Sequence, residues 1–203
     1  MQLWKSLSDI FIKYHFELDD ISFFIENTIT NIKKEEIIGS EDIFKQFTID
    51  MIEGQNSLFL KSVHIFVISF IEAFNREFFS FLRKNKEEFY KKIAGSIPRT
   101  NSQAIKEFLQ NSIKLNIERE YLQWNDFCEN LIRRNIIVHN HGKIDEDYIN
   151  TSKKSLNLTV GMEIGKDIAH DLGYVKNLVE NCFHYLAFIF IKTMNNNLHY
   201  YLG

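Results

Sequence analysis

Residues 133–148 read RRNIIVHNHGKIDEDY, and this run gathers the side chains best suited to chemistry in the chain. Arg133 and Arg134 precede Asn135, and His139 and His141 follow across the aliphatic residues Ile136, Ile137 and Val138. A guanidinium holds a phosphate through paired hydrogen bonds and stays charged. An imidazole, with an ordinary pKa of about 6.5, can accept a proton and return it near neutral pH. Cleavage of RNA by its own 2′-hydroxyl needs a base, an acid and a charge stabiliser, and no metal. Arg134, Asn135 and His139 are therefore the catalytic candidates, with Arg133 and His141 as accessory groups. Asn135 lies four residues before His139, on the same helical face, where it can orient the imidazole or bond a phosphate oxygen. On an ideal helix Arg134 and His139 stand about 140° apart at 3.6 residues per turn, so one chain alone brings them together poorly.

An Arg followed a few residues later by a His is a weak pattern by itself. Its context adds weight, because the run closes an amphipathic stretch of about 120–140 and stops at Gly142, a favoured residue beyond a helix end. Upstream, Phe59, Val63, Phe66, Val67, Phe70, Phe74, Phe78 and Phe81 recur at three- and four-residue steps, predicting one long helix over about 57–92. Gly54 should precede it, with Asn56 or Ser57 as its cap. Off that stripe, Glu72 and Arg76 form a further accessory pair at helical i, i+4 spacing. A shorter helix is expected over about 102–117. A last one is expected over about 171–195, with Val175, Leu178, Val179, Cys182, Leu186, Ile189 and Phe190 as its stripe. Residues 1–53 read as two helices broken near Gly39, the second capped by Ser40. Between 143 and 170 the pattern is mixed, and alternation from Leu156 to Ile164 allows a short extended segment.

The 203 residues divide as an N-terminal helical extension, 1–53, and a helical bundle, 54–203. One Pro and eight Gly leave few breakers, so the fold class is all-α, a bundle of four or five main helices. A net charge of −3 excludes a protein that coats nucleic acid through global basic charge, so any contact with RNA is local. The basic run Arg83, Lys84, Lys86, Lys91 and Lys92 reads as a solvated face. Cys128 and Cys182 have no CxxC partner and read as buried free thiols of a reducing compartment. No Cys or third His lies near His139 and His141 at ligand spacing, so neither a metal nor a cofactor is expected. The N-terminus lacks a signal layout and Lys61 and His64 interrupt the apolar run of 58–70, so a cytoplasmic protein without a membrane partner is expected. His64, His170 and His184 read as isolated structural histidines.

With these residues in view, the chain resembles the HEPN superfamily, small helical-bundle proteins found among prokaryotic toxins and antiviral effectors. Their signature is an Arg, a polar residue and, a turn or more later, a His near a helix end. Here it falls on Arg134, Asn135 and His139. The continuation is similar to one branch of the family at Asn140, Gly142, Asp145 and Tyr148, of which Asp145 and Tyr148 should fix the turn after the motif. His141 stands where the branch that pairs with a nucleotidyltransferase antitoxin has a Tyr. The resemblance covers about 57–195. It implies a homodimer in which two motif helices meet at a two-fold axis, so that one cleft receives two copies of His139 and of Arg134. One His139 would then act as base and its mate as acid, with Arg134 on the phosphate. The implied activity is a metal-independent endoribonuclease, acting as a toxin or abortive-infection effector, with RNA as substrate and an antitoxin or regulatory protein as a further partner. The alternative is a non-catalytic module of the same bundle type that binds RNA, a nucleotide or a protein within a defence complex.

Overall fold

A computed structural model describes residues 2–34, 42–85, 97–98, 101–156, 163–168 and 170–201. Among these residues the chain is all-α, with seven helices and no strand. They are α1 Gln2–Lys34, α2 Asp42–Lys84, α3 Ser102–Ile113, α4 Ile117–Glu120, α5 Trp124–Asn140, α6 Glu146–Leu156 and α7 Leu172–Tyr201.

The long apolar stripe does make a helix, but that helix begins earlier than expected. α2 is continuous over 43 residues and runs through Gly54, across the 53/54 position where a boundary was expected. A helix-interior Gly costs only about 1 kcal/mol, too little to stop a helix anchored by packing from Phe59 onward. Gly39 and Ser40, the expected break and cap, lie outside the described residues. α2 packs on α1, α5 and α7, and its Val67, Ile71, Phe74, Phe78 and Leu82 are buried against Leu7, Tyr14 and Leu18 of α1 and Val179, Tyr185 and Leu186 of α7. Phe66 departs from the expected stripe: it is 59% exposed. The Ser57–Lys84 stretch also has the length and composition of a membrane span, with a mean hydropathy of 1.6 over its best window. In this bundle it supplies much of the core and carries two fully buried polar residues, His64 and Asn75. Asn75 Oδ1 accepts a 2.8 Å hydrogen bond from the Tyr185 hydroxyl.

The expected helix of 102–117 is two pieces. Asn101 caps α3, its Oδ1 accepting from the Ala104 N–H at 2.9 Å, and Lys114 ends it in the left-handed region at φ 56. Asn116 then starts the single turn of α4. The mixed region holds a further helix, α6, which returns along α5 as the second arm of a helical hairpin. The extended segment expected near 156–164 falls mostly outside the described residues, and Leu156 itself is helical. A single bridge pairs Lys143 with Asp167. Both cysteines are buried free thiols, and burial pushes the Cys128 thiol up to about 12, which leaves it protonated and unreactive.

Candidate phosphate-binding and proton-transfer site

The candidate residues sit on the last two turns of α5, and a small apolar cluster fixes that end of the helix. Ile136 and Ile137 are buried with Ile144, Tyr148 and Ile168, separately from the main core. α5 stops where His141 and Gly142 take left-handed angles, φ 54 and φ 83, and the Gly142 N–H bonds the Ile136 carbonyl at 3.1 Å. The chain then pairs with 165–168, Ile144 N–H donating to Lys166 O at 2.9 Å and Ile168 N–H to Gly142 O at 2.8 Å. Asp145 accepts from the Tyr148 N–H at 2.7 Å, capping α6, and the Asn140 amide reaches the Lys143 carbonyl at 2.6 Å. Asp145 and the buried Tyr148 thus hold the turn after the motif.

Lys61 of α2 clamps the same turn. Its Nζ donates to the His141 carbonyl at 3.2 Å and lies 3.4 Å from Asp167. A Cβ on Gly142 would stand 2.9 Å from Lys61 Cε, a contact the flexible lysine can relieve, but the φ of +83° is unfavourable for any other residue. Gly142→Ala is therefore expected to destabilise the fold by about 1 kcal/mol, read as a lower urea midpoint with an unchanged slope.

The seven candidate side chains do not gather in one place. His139 is exposed and lines a cleft of about 370 Å³ with Asn135, Ile132, Asp145, Asp147 and Thr151, between α5 and α6. Arg134 is not among the residues lining that cleft. Its Nη2 lies 3.8 Å from Glu72 Oε1, and its Nη1 donates to Asn135 Oδ1 at 3.2 Å. Its Nε is buried with no hydrogen-bond partner. Asn135 is thus the link between the arginine and the cleft. Glu72 was expected to pair with Arg76 along α2. It instead reaches across to α5, and Arg76 is exposed. His141 is exposed beyond the helix end and engages Lys61 through its backbone alone among the bonds described.

Arg133 differs most from its expected role as an accessory group at the site. Its side chain is 14% exposed, bonds Glu129 through Nε at 2.8 Å and Nη2 at 2.7 Å, and lies 4.2 Å over the Tyr174 ring. The reason is angular. Two consecutive residues point about 100° apart on a helix, so Arg134 faces α2 while Arg133 turns toward α7.

Below Arg133 lies a cluster that the sequence did not reveal. His64 and His170, 106 positions apart in sequence, have ring centroids 5.0 Å apart, and His64 stacks on Tyr174 at 5.8 Å with 9° between planes. The His64 Nε2–H donates to the Asn130 carbonyl at 2.9 Å, while its Nδ1 is buried without a partner. The Tyr174 hydroxyl donates to Asn130 Oδ1. Burial lowers the His64 pKa to about 3 and that of His170 to about 4, with the Arg133 charge pushing both the same way. These are neutral packing histidines. Among the described residues no three His, Cys, Asp or Glu side chains group as metal ligands.

Within one chain the site offers an exposed imidazole and an amide on one side of α5, and a partly shielded guanidinium on the other. The candidate proton carrier and the candidate phosphate clamp are therefore not opposed across a single point within one chain. Compared with protein-family models, with curated proteins and with solved structures, the chain matches none.

Proposed function

We propose that this protein is a metal-independent endoribonuclease of the HEPN type, acting as a homodimeric toxin or antiviral defence effector. The observation that carries this reading is His139 standing exposed in a cleft at the end of α5, with Asn135 joining it to Arg134. Arg134 keeps 23% of its side chain exposed, and a guanidinium offers paired donors to phosphate oxygens. The 140° between Arg134 and His139 is resolved when a second copy brings its own pair across a two-fold axis. In that arrangement one imidazole takes the 2′-OH proton, the 2′-oxygen attacks phosphorus, and the other imidazole protonates the departing 5′-oxygen. The products are a 2′,3′-cyclic phosphate, or its hydrolysis product, and a 5′-hydroxyl.

A second reading has one observation in its favour. Glu72 already lies within ion-pair distance of Arg134, which lowers the charge available to a phosphate and suits a non-catalytic module binding a protein or nucleotide. Total RNA incubated with the purified protein in EDTA separates the two. The ribonuclease reading expects fragments with cyclic or monophosphate 3′ ends and 5′-hydroxyls, and intact single-stranded DNA, which has no 2′-OH. Cleavage that needs Mg²⁺, or leaves 5′-phosphates, would overturn it. Intact RNA would favour the module, or a form held in check by an antitoxin or regulatory partner.

A further inference from the structure

The cleft that holds His139 does not end at α6. A second, larger cavity of about 610 Å³ adjoins it, and Asp147 and Thr151 line both. The cavity lies among α3, α4, α5 and α6, with Gln103, Lys106, Trp124 and Asn150 on its walls. Along α5 the lining residues run from Trp124 at the first turn to His139 at the last. At 1.5 Å per residue this face is about 22 Å long, room for a few nucleotides of single strand.

The lining has the chemistry of an unstacked nucleobase. Asn150 supplies an amide that both donates and accepts, Gln103 an amide whose Nε2 also donates to Glu107 Oε1 at 2.7 Å, Thr151 a hydroxyl and Asp147 a carboxylate that only accepts. No hydrogen bond within the described residues occupies the Asn150 amide or the Thr151 hydroxyl, and both border the cavity. Trp124, 5% exposed and stacked on Phe127 at 5.7 Å, closes the apolar wall rather than offering a free face, and Lys106, ion-paired with Glu118, is one-third exposed. Proteins read an unstacked base of single-stranded RNA in this way, bonding its polar edge with amides, hydroxyls and carboxylates.

We propose that this cavity is a base-recognition subsite, which takes an unstacked base of the strand whose phosphate lies beside His139 and so sets sequence preference. The proposal rests on the reading of the site as RNA-binding, and its test separates the two. The probes are four short single-stranded homopolymers of 2′-O-methyl RNA, which cannot be cut, titrated into the wild-type protein by fluorescence anisotropy. Random RNA is digested in parallel and its cut sites are sequenced.

One homopolymer is expected to bind at least about tenfold tighter than the weakest, the scale of one well-made base contact. The combined variant Gln103→Ala, Asn150→Ala should bring the four within about twofold of one another. Both residues are exposed, and an unchanged melting curve checks the fold. In the digest the variant should cut more slowly at limiting RNA, keep its rate at saturating RNA, and lose the preference beside the cut. Digestion in which the variant keeps the wild-type preference overturns the subsite and leaves the ribonuclease reading intact. Base-selective binding without cleavage, abolished in the variant, supports the subsite and favours the non-catalytic module over the nuclease. Binding that is absent, or equal for all four probes, overturns the subsite.

Discussion

His139→Ala is expected to lower RNA cleavage by about a hundredfold or more, the usual scale for losing a proton-transfer group. Arg134→Ala should fall by a similar factor through loss of charge stabilisation on the phosphorane-like transition state. Neither change should unfold the protein, because His139 is exposed and Arg134 makes only a long ion pair and a bond to its neighbour. The sharper test is mixing. If one imidazole is the base and its mate the acid, a dimer with a single His139 has no complete site. An equal mixture of wild type and His139→Ala that exchanges freely should then keep about a quarter of the wild-type rate, the share of fully wild-type dimers in a symmetric assembly. A mixture that keeps half the rate would show that each chain works alone. Activity persisting in His139→Ala would end the proposed chemistry.

The helical class was legible because α2 and α7 carry apolar residues at three- and four-residue steps over many turns. Nearly all of the α7 stripe is buried as expected, from Val175 to Ile189. The ends were less legible. Gly54 carried a local signal for a helix start, but packing of α2 against α1 and α7 overrides a cost of about 1 kcal/mol. α6 was read as mixed because its apolar residues are few: only Tyr148, and Ile149 in part, pack against the small cluster at the end of α5. Phe66 kept the period yet faces outward, since a wide stripe extends past the surface its neighbours cover.

The site divides in the same way. His139 and Asn135 share a face by their spacing alone, and the structure puts both on one cleft. The Arg134 to Asn135 contact is equally local. What spacing could not show is which distant element comes near. Glu72 has Arg76 at the right local separation, and only the α2–α5 packing directs it to Arg134 instead. Arg133 read as an accessory group; its partner Glu129 stood at local i, i+4 spacing, and only the arrival of Tyr174 shields it from solvent. His64 and His170 carried little signal, being lone residues far apart in sequence. Their interrupted aromatic surroundings, a His within the apolar run of α2 and another four residues before Tyr174, were the available hint.

Acid should unfold this protein through that histidine pair before its surface carboxylates matter. Both rings are held below the ordinary value of about 6.5, to about 3 for His64 and about 4 for His170. The native state therefore binds fewer protons than the unfolded chain once the pH drops below about 6.5. Stability from these groups is complete above that pH and is lost as the pH falls toward 4 and then 3. At pH 5 His64 alone accounts for a loss of about 2 kcal/mol relative to pH 7, at 1.4 kcal/mol per pH unit. The charges around it deepen the effect: Arg133 from α5 and a protonated His170 oppose a second positive charge, while Lys61 and Arg133 oppose one on His170. His64→Gln keeps a donor for the Asn130 carbonyl and removes the titration. It should be less stable than wild type at pH 7, yet lose about 2 kcal/mol less between pH 7 and pH 5 in urea unfolding. Equal losses in the two proteins would refute the assignment. The consequence reaches the motif, because Asn130 and Arg133, which bind this cluster, lie one turn or less before Arg134 on the same helix. When the pair charges, α5 loses its footing on α7, so cleavage should fall along the melting curve of the bundle, and His64→Gln should flatten the pH dependence of both together.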